Sequence, residues 1–184
     1  VCNAELVLKQ EKQERKIDMR MCSIASGSSG NCIYVGNNNT HILVDTGISK
    51  KRIDEGLHEL GITGEELNGI VITHEHSDHI QGLGVFSRKY QIPIYATKGT
   101  IAGIKAYKSL GSMPEGLLHE IETDKDFRLG DIEVHPFAIS HDANQPSGYR
   151  FNYKDKSVAV ATDLGKYDDY IVNNLKNLNA ILLE

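Results

Sequence analysis

A polar heptad, Thr-His-Glu-His-Ser-Asp-His at residues 73–79, directly follows an apolar, β-branched run beginning at Gly69. A run of that composition reads as a buried strand, so the heptad leaves the carboxyl end of a core strand. That limits the chain to layered architectures in which such a loop rims a site. His74, His76, Asp78 and His79 place four metal-ligating side chains within six positions. On a helix, His74 and His76 would face different sides; in an irregular loop both can turn toward one ion. Imidazoles with a carboxylate suit Zn²⁺ or a harder divalent ion such as Mn²⁺. The plain alternative is a solvated loop that happens to be rich in histidine.

Two further ligand types follow apolar runs downstream: His141 behind residues 136–140, and Asp163 behind residues 157–162. Each alone reads as a turn or capping residue, but with the heptad they complete a coordination sphere. Asp45 follows the apolar run 41–44 in Val-Asp-Thr-Gly, where an aspartate before glycine also suits a plain turn. Residues 26–31, Ser-Gly-Ser-Ser-Gly-Asn, offer backbone N–H groups to an anion but lack the lysine and spacing of a phosphate loop. A tight hairpin turn explains them equally well. His41, His58, His119 and His135 lack motif context, and Asp142, Asn144 and Tyr149 lie near His141 as candidate pocket residues.

The pattern His-x-His-x-Asp-His, then one His and one Asp at strand ends, resembles the metallo-β-lactamase fold. The run from Met21 to Val35, Ile42–Gly47, Ser140-His-Asp-Ala with Gly148 and Tyr149, and Ala161–Gly165 are similar to the YycJ/WalJ (VicX) group of bacterial metallo-hydrolases. The resemblance covers residues 19–184. It implies an α+β, αββα sandwich of two mixed sheets with helices outside. It further implies two divalent ions, Zn²⁺ or Mn²⁺: His74, His76 and His141 at the first, Asp78 and His79 beginning the second, Asp163 bridging. Asp78 is also the candidate catalytic residue, orienting the metal-activated water, and Asp45 supports the histidines from behind. The implied activity is phosphodiester hydrolysis, a 5′→3′ exonuclease acting on DNA in repair. A thioester or lactone hydrolase of the same fold, or a non-catalytic metal-binding regulatory protein, are the alternatives.

The group's members extend further, and their extension carries a last metal-binding histidine. The expectation is therefore a C-terminally shortened domain with one well-formed metal position and a weakened second one. Residues 1–18 are charged without periodicity and lack a signal peptide's apolar stretch, which suggests a disordered or non-native leader. Elsewhere composition sets only bounds. The net charge of −5 argues against bulk electrostatic attraction to nucleic acid. Lys50, Lys51, Arg52, Arg88, Lys89 and Lys98 lie near site elements, with solvated helix faces as the bland reading. Cys2, Cys22 and Cys32 form no Cys-x-x-Cys pair and fit a reducing, cytoplasmic setting, although Cys22 and Cys32 could face each other across a hairpin. No apolar run reaches membrane-spanning length.

The expected elements are strands at 20–25, 31–36, 41–45, 69–73, 92–96, 117–121, 131–140, 148–153, 157–162 and 179–183. Helices are expected after Ser49, near 79–90, 98–110 and 167–176.

Overall fold

In the computed structural model, residues 19–184 are described; the leader expected over residues 1–18, with Cys2, lies outside them. Strands β1 (Arg20–Ala25), β2 (Cys32–Gly36) and β3 (His41–Val44) form an antiparallel meander. The chain then continues as parallel strands β4 (Gly69–Val71), β5 (Ile94–Thr97) and β6 (Leu118–Ile121). Parallel neighbours need crossovers, and helices supply each one. Helix α1 (Lys50–Glu59) links β3 to β4, α2 (Ser77–Ile80) and α3 (Leu83–Tyr90) link β4 to β5, and α4 (Lys98–Ala106) links β5 to β6. The first sheet thus has the order β1-β2-β3-β4-β5-β6.

The second sheet contains β7 (Phe127–Leu129), β8 (Ile132–Ala138), β9 (Ser147–Tyr153), β10 (Lys156–Ala161) and β11 (Ala180–Leu183). Its order is β11-β10-β9-β8-β7, antiparallel except for the β10–β11 pair. Helix α5 (Asp169–Asn174) joins β10 to β11. At the edge strand β11, Ile181 and Leu183 are exposed.

Side-chain alternation explains the layering, because successive strand residues face opposite sides. Ile33, Val35, Ile42, Val44 and Val71 meet Val134, Tyr149, Phe151, Val158 and Val160 between the sheets. Their neighbours Tyr34, Leu43, Ile70 and Ile72 face away, against Ile53 and Leu57 of α1 and Leu83 and Phe86 of α3. A smaller cluster, Phe137, Ile139, Ala161 and Ile171, seats α5 on the far side of the second sheet. This is the expected αββα sandwich. Strands buried on both faces are apolar at every position, which is why the sequence displays them as runs.

Several boundaries differ from the sequence reading. The helix expected over 79–90 breaks at Gln81–Gly82. A Cβ on Gly82 would lie 2.1 Å from the Ile48 carbonyl oxygen, so close backbone packing places the break. Strand β7 was not anticipated; three residues are too few to show a period. Pro136 is tolerated inside β8 because the β7 pairing ends at Val134. Cys22 lies opposite Tyr34 and Cys32 opposite Ala25, so these cysteines do not face each other, and both are free. No helix among the described residues is long and apolar enough to cross a membrane.

Candidate metal centre

The site lies where both sheets present carboxyl-terminal strand ends. The β4 end delivers Thr73, His74 and His76 on irregular backbone before α2 begins at Ser77, which carries Asp78 and His79. From the second sheet, the β8–β9 connection brings His141, and the turn after β10 brings Asp163. Two groups that could hold a metal ion result: His74, His76 and His141, and His74, His79 and Asp163, with the candidate ligand atoms of each group within 4.8 Å of one another. His74 belongs to both. Asp78 joins neither group but stands beside them, its Oδ2 3.6 Å from His79 Nε2.

Asp45 organises this cluster from behind. It is fully buried, in the left-handed region at φ 61°, a conformation aspartate tolerates better than most residues. One oxygen accepts the Thr73 backbone N–H at 2.8 Å. The other accepts the Thr73 hydroxyl at 2.7 Å and faces His79 Nδ1 at 2.8 Å. An ionised carboxylate only accepts, so His79 carries its proton on Nδ1 and turns the Nε2 lone pair into the site. The Thr73 hydroxyl, already donating to Asp45, accepts from His74 Nδ1 at 3.1 Å. His74 therefore also presents an unprotonated Nε2. One carboxylate thus sets the tautomer of two rings, the usual task of a group behind a metal ligand.

The residues fit a divalent cation. His74 Nε2 and Asp163 Oδ2 are buried and lack hydrogen-bond partners, which is costly unless something binds them. Asp163 Oδ2 does lie 3.1 Å from His79 Nε2, without hydrogen-bond alignment. Burial, then the neighbouring His79, His141 and His76, pull the His74 pKa down to about 2. That ring is neutral at any physiological pH, as a metal ligand would need to be. For His79, burial disfavours the charged form, but Asp45, Asp163 and Asp78 together outweigh it and raise its pKa. His76 Nδ1 and His141 Nε2 are 3.2 Å apart. Asp163, at φ 58°, is the second acidic residue held in the left-handed region here. Such backbone strain concentrates at functional positions.

Other candidates distribute differently. Tyr149 is no pocket residue: it is fully buried between the sheets and donates to the Ile72 carbonyl at 2.8 Å. Asp142 is exposed beside His141, and the Asn144 N–H donates to Glu75. The Ser26–Asn31 segment forms a tight hairpin turn in which Asn31 Oδ1 accepts the Gly27 N–H. The Asn31 amide nitrogen also lies 3.0 Å from His79 Nε2. That approach, and the Thr73 relay, had no signal beyond membership of quoted motifs. His41 is buried against Tyr34, His119 stacks on Tyr95, and His135 lies between Asp126 and Asn174, all away from the site. Among the basic residues, Lys50 and Lys51 pair with Asp54 and Glu55, and Arg88 donates to the Leu110 and Ser112 carbonyls.

The fold and this histidine–aspartate centre define a class, and a family comparison agrees: residues 40–184 match the model described as a beta-lactamase superfamily domain. The chain belongs to that family, and the family's fold implies divalent metal binding at such a cluster. Among individual relatives, it is 40% identical over 169 residues to exodeoxyribonuclease WalJ of Streptococcus pneumoniae, covering 92% of this chain and 63% of that protein. It is 38% identical over 169 residues to exodeoxyribonuclease YycJ of Bacillus anthracis, covering 88% and 60%. The chain therefore spans under two thirds of these relatives' length. The metallo-β-lactamase fold protein YhfI from Bacillus subtilis superposes with a TM-score of 0.71 at 16% identity, covering 90% of this chain and 70% of that one.

Proposed function

We propose that this domain is the metal-holding part of a metal-dependent phosphodiesterase, a 5′→3′ exonuclease that degrades DNA. The observation that carries the reading is the pair of overlapping ligand groups sharing the orphaned Nε2 of His74, in a chain 40% identical to an exodeoxyribonuclease. His74, His76 and His141 would hold a first ion, Zn²⁺ or Mn²⁺. His79 and Asp163, with Asp78 at the margin, would hold a second, weaker one. When bound, a divalent cation supplies Lewis-acid polarisation and activation of water near neutral pH.

This chain's own residues do the rest. Asp45 and Thr73 keep the lone pairs of His74 and His79 turned inward. Asp78, about a third exposed beside His79, would orient the attacking water. Free thiols at Cys22 and Cys32 suit a cytoplasmic enzyme.

The test has two parts. Metal analysis of chelated and reloaded protein should find one tightly held ion and a second released by mild chelation; two equally tight ions would contradict the assignment. End-labelled duplex DNA should be shortened by the metal-loaded protein and not by His76→Ala. Equal behaviour of the two proteins removes the nuclease reading.

A further inference from the structure

His79 is bonded directly to Asp45, and His74 is joined to Asp45 through the Thr73 hydroxyl, but His141 is not part of that network. It arrives on the β8–β9 connection, residues 139–146, from the opposite sheet. What holds this connection across the gap lies outside the ligand set. Glu75, between the first two histidines, accepts the Asn144 N–H on Oε1 at 2.8 Å, while its Oε2 is buried. Next to it, the Gln145 carbonyl accepts the Thr97 hydroxyl at 2.6 Å and the Thr100 hydroxyl at 3.2 Å. Gln145 Oε1 accepts the Gly99 N–H of α4 at 3.0 Å.

The α4 sequence records the same contact. Glycine inside a helix costs about 1 kcal/mol relative to alanine, yet α4 carries Gly99 and Gly103, one turn apart on one face. A Cβ at Gly103 would lie 2.2 Å from Glu75 Cγ and 2.6 Å from its Cβ. At Gly99 it would lie 2.6 Å from Gln145 Cβ. These atoms are side-chain stems with little freedom to withdraw. The glycine face therefore admits Glu75 and Gln145 against the helix.

The geometry points to Glu75 as a positioning residue: pressed onto the Gly99–Gly103 face of α4, its carboxylate latches the connection that carries His141 and sets that ring against His76. The inference rests on the metal reading of the site and deepens it by assigning what holds the ligand contributed by the second sheet. The His79–Asp45–Thr73 unit has its own hydrogen bonds and does not need the latch.

The experiment compares the wild-type chain with Glu75→Ala, Glu75→Gln and Gly103→Ala. Cobalt(II) affinity and visible spectrum are followed by titration, and hydrogen exchange of residues 139–147 is measured in metal-free protein. Glu75→Ala should weaken Co²⁺ binding about 10–100-fold, alter the d–d bands and speed exchange in that segment. Glutamine keeps an acceptor oxygen, so it should restore affinity to within about 2-fold. Gly103→Ala should reproduce the Glu75→Ala loss although alanine favours the helix. Unchanged exchange in Glu75→Ala, failure of glutamine to rescue, or equal loosening of the segment around Asp45 overturns the latch. A wild-type chain that takes up no Co²⁺ overturns the metal reading instead, and the exchange comparison still decides the latch.

Discussion

Replacing Asp45 tests how one buried carboxylate governs the centre. Its two oxygens take three hydrogen bonds, from the Thr73 N–H, the Thr73 hydroxyl and His79 Nδ1–H, with no access to solvent. In Asp45→Ala the Thr73 N–H and His79 Nδ1–H lose their acceptor, at about 1–3 kcal/mol for each buried unpaired donor. Alanine in the left-handed region adds about 1–2 kcal/mol. The sum, roughly 3–8 kcal/mol, is a large part of a typical domain stability of about 5–15 kcal/mol. Asp45→Asn is more informative. Its amide oxygen can still serve the Thr73 N–H, so the loss should be only about 1–2 kcal/mol, the difference between charged and neutral hydrogen bonds. Its NH₂ group, however, now donates toward His79 Nδ1 and drives that ring's proton to Nε2, the atom facing the site. Metal affinity should fall about 10–100-fold although the fold survives. Without the Asp45 charge, burial should dominate at His79, and its pKa in the metal-free protein should move down. Urea unfolding, metal titration and histidine NMR on the two variants provide the readings. An Asp45→Asn protein with wild-type metal affinity and an unshifted His79 would refute the tautomer argument.

Three other perturbations have definite outcomes. Gly47→Ala would put a Cβ 1.5 Å from the Asp78 carbonyl oxygen, backbone against backbone. It should cost at least about 3 kcal/mol, read as a lower urea midpoint or failure to express soluble protein. Tyr149→Phe removes the hydroxyl that donates to the Ile72 carbonyl and should cost about 1–3 kcal/mol in urea unfolding, with metal uptake unaltered. For pH, His74 has a depressed folded pKa, so its contribution is complete above the unfolded value of about 6.5 and is lost as pH falls toward 2. His79 is raised and acts oppositely: its contribution is complete below about 6.5 and is lost as pH rises through its folded value. In metal-free protein, His74→Gln should therefore lessen the fall in stability between pH 7 and 5, and a variant as acid-sensitive as wild type would contradict the assignment.

The sequence showed the strand ends because double-sided burial writes β2, β3 and β4 as apolar runs, and because the candidate ligands cluster directly behind such runs. It could not show which residues hold the ligands. Thr73 and Asn31 are ordinary polar residues whose roles depend on an approach across the sheet or from another hairpin. Glu75 carries no signal of its own in the heptad, and Tyr149 reads as a pocket residue because it is near His141 in sequence; strand alternation instead turns its ring into the core. The break at Gly82 and the short β7 are set by backbone proximity and by pairing with β8, neither of which leaves a periodic trace. Ligand identity is local, whereas ligand support is long-range.

The two sheets contribute unequal shares to the centre, three imidazoles from the β4 side and one imidazole with one carboxylate from the other. No half can assemble it alone, so any ion that settles there acts as a rivet between layers. At an ion concentration about 100 times its Kd, that would add about 2.7 kcal/mol to the cohesion of the sandwich. Stripping the ion should therefore remove that increment from the unfolding free energy, while the apolar core shared by the sheets still holds the layers together.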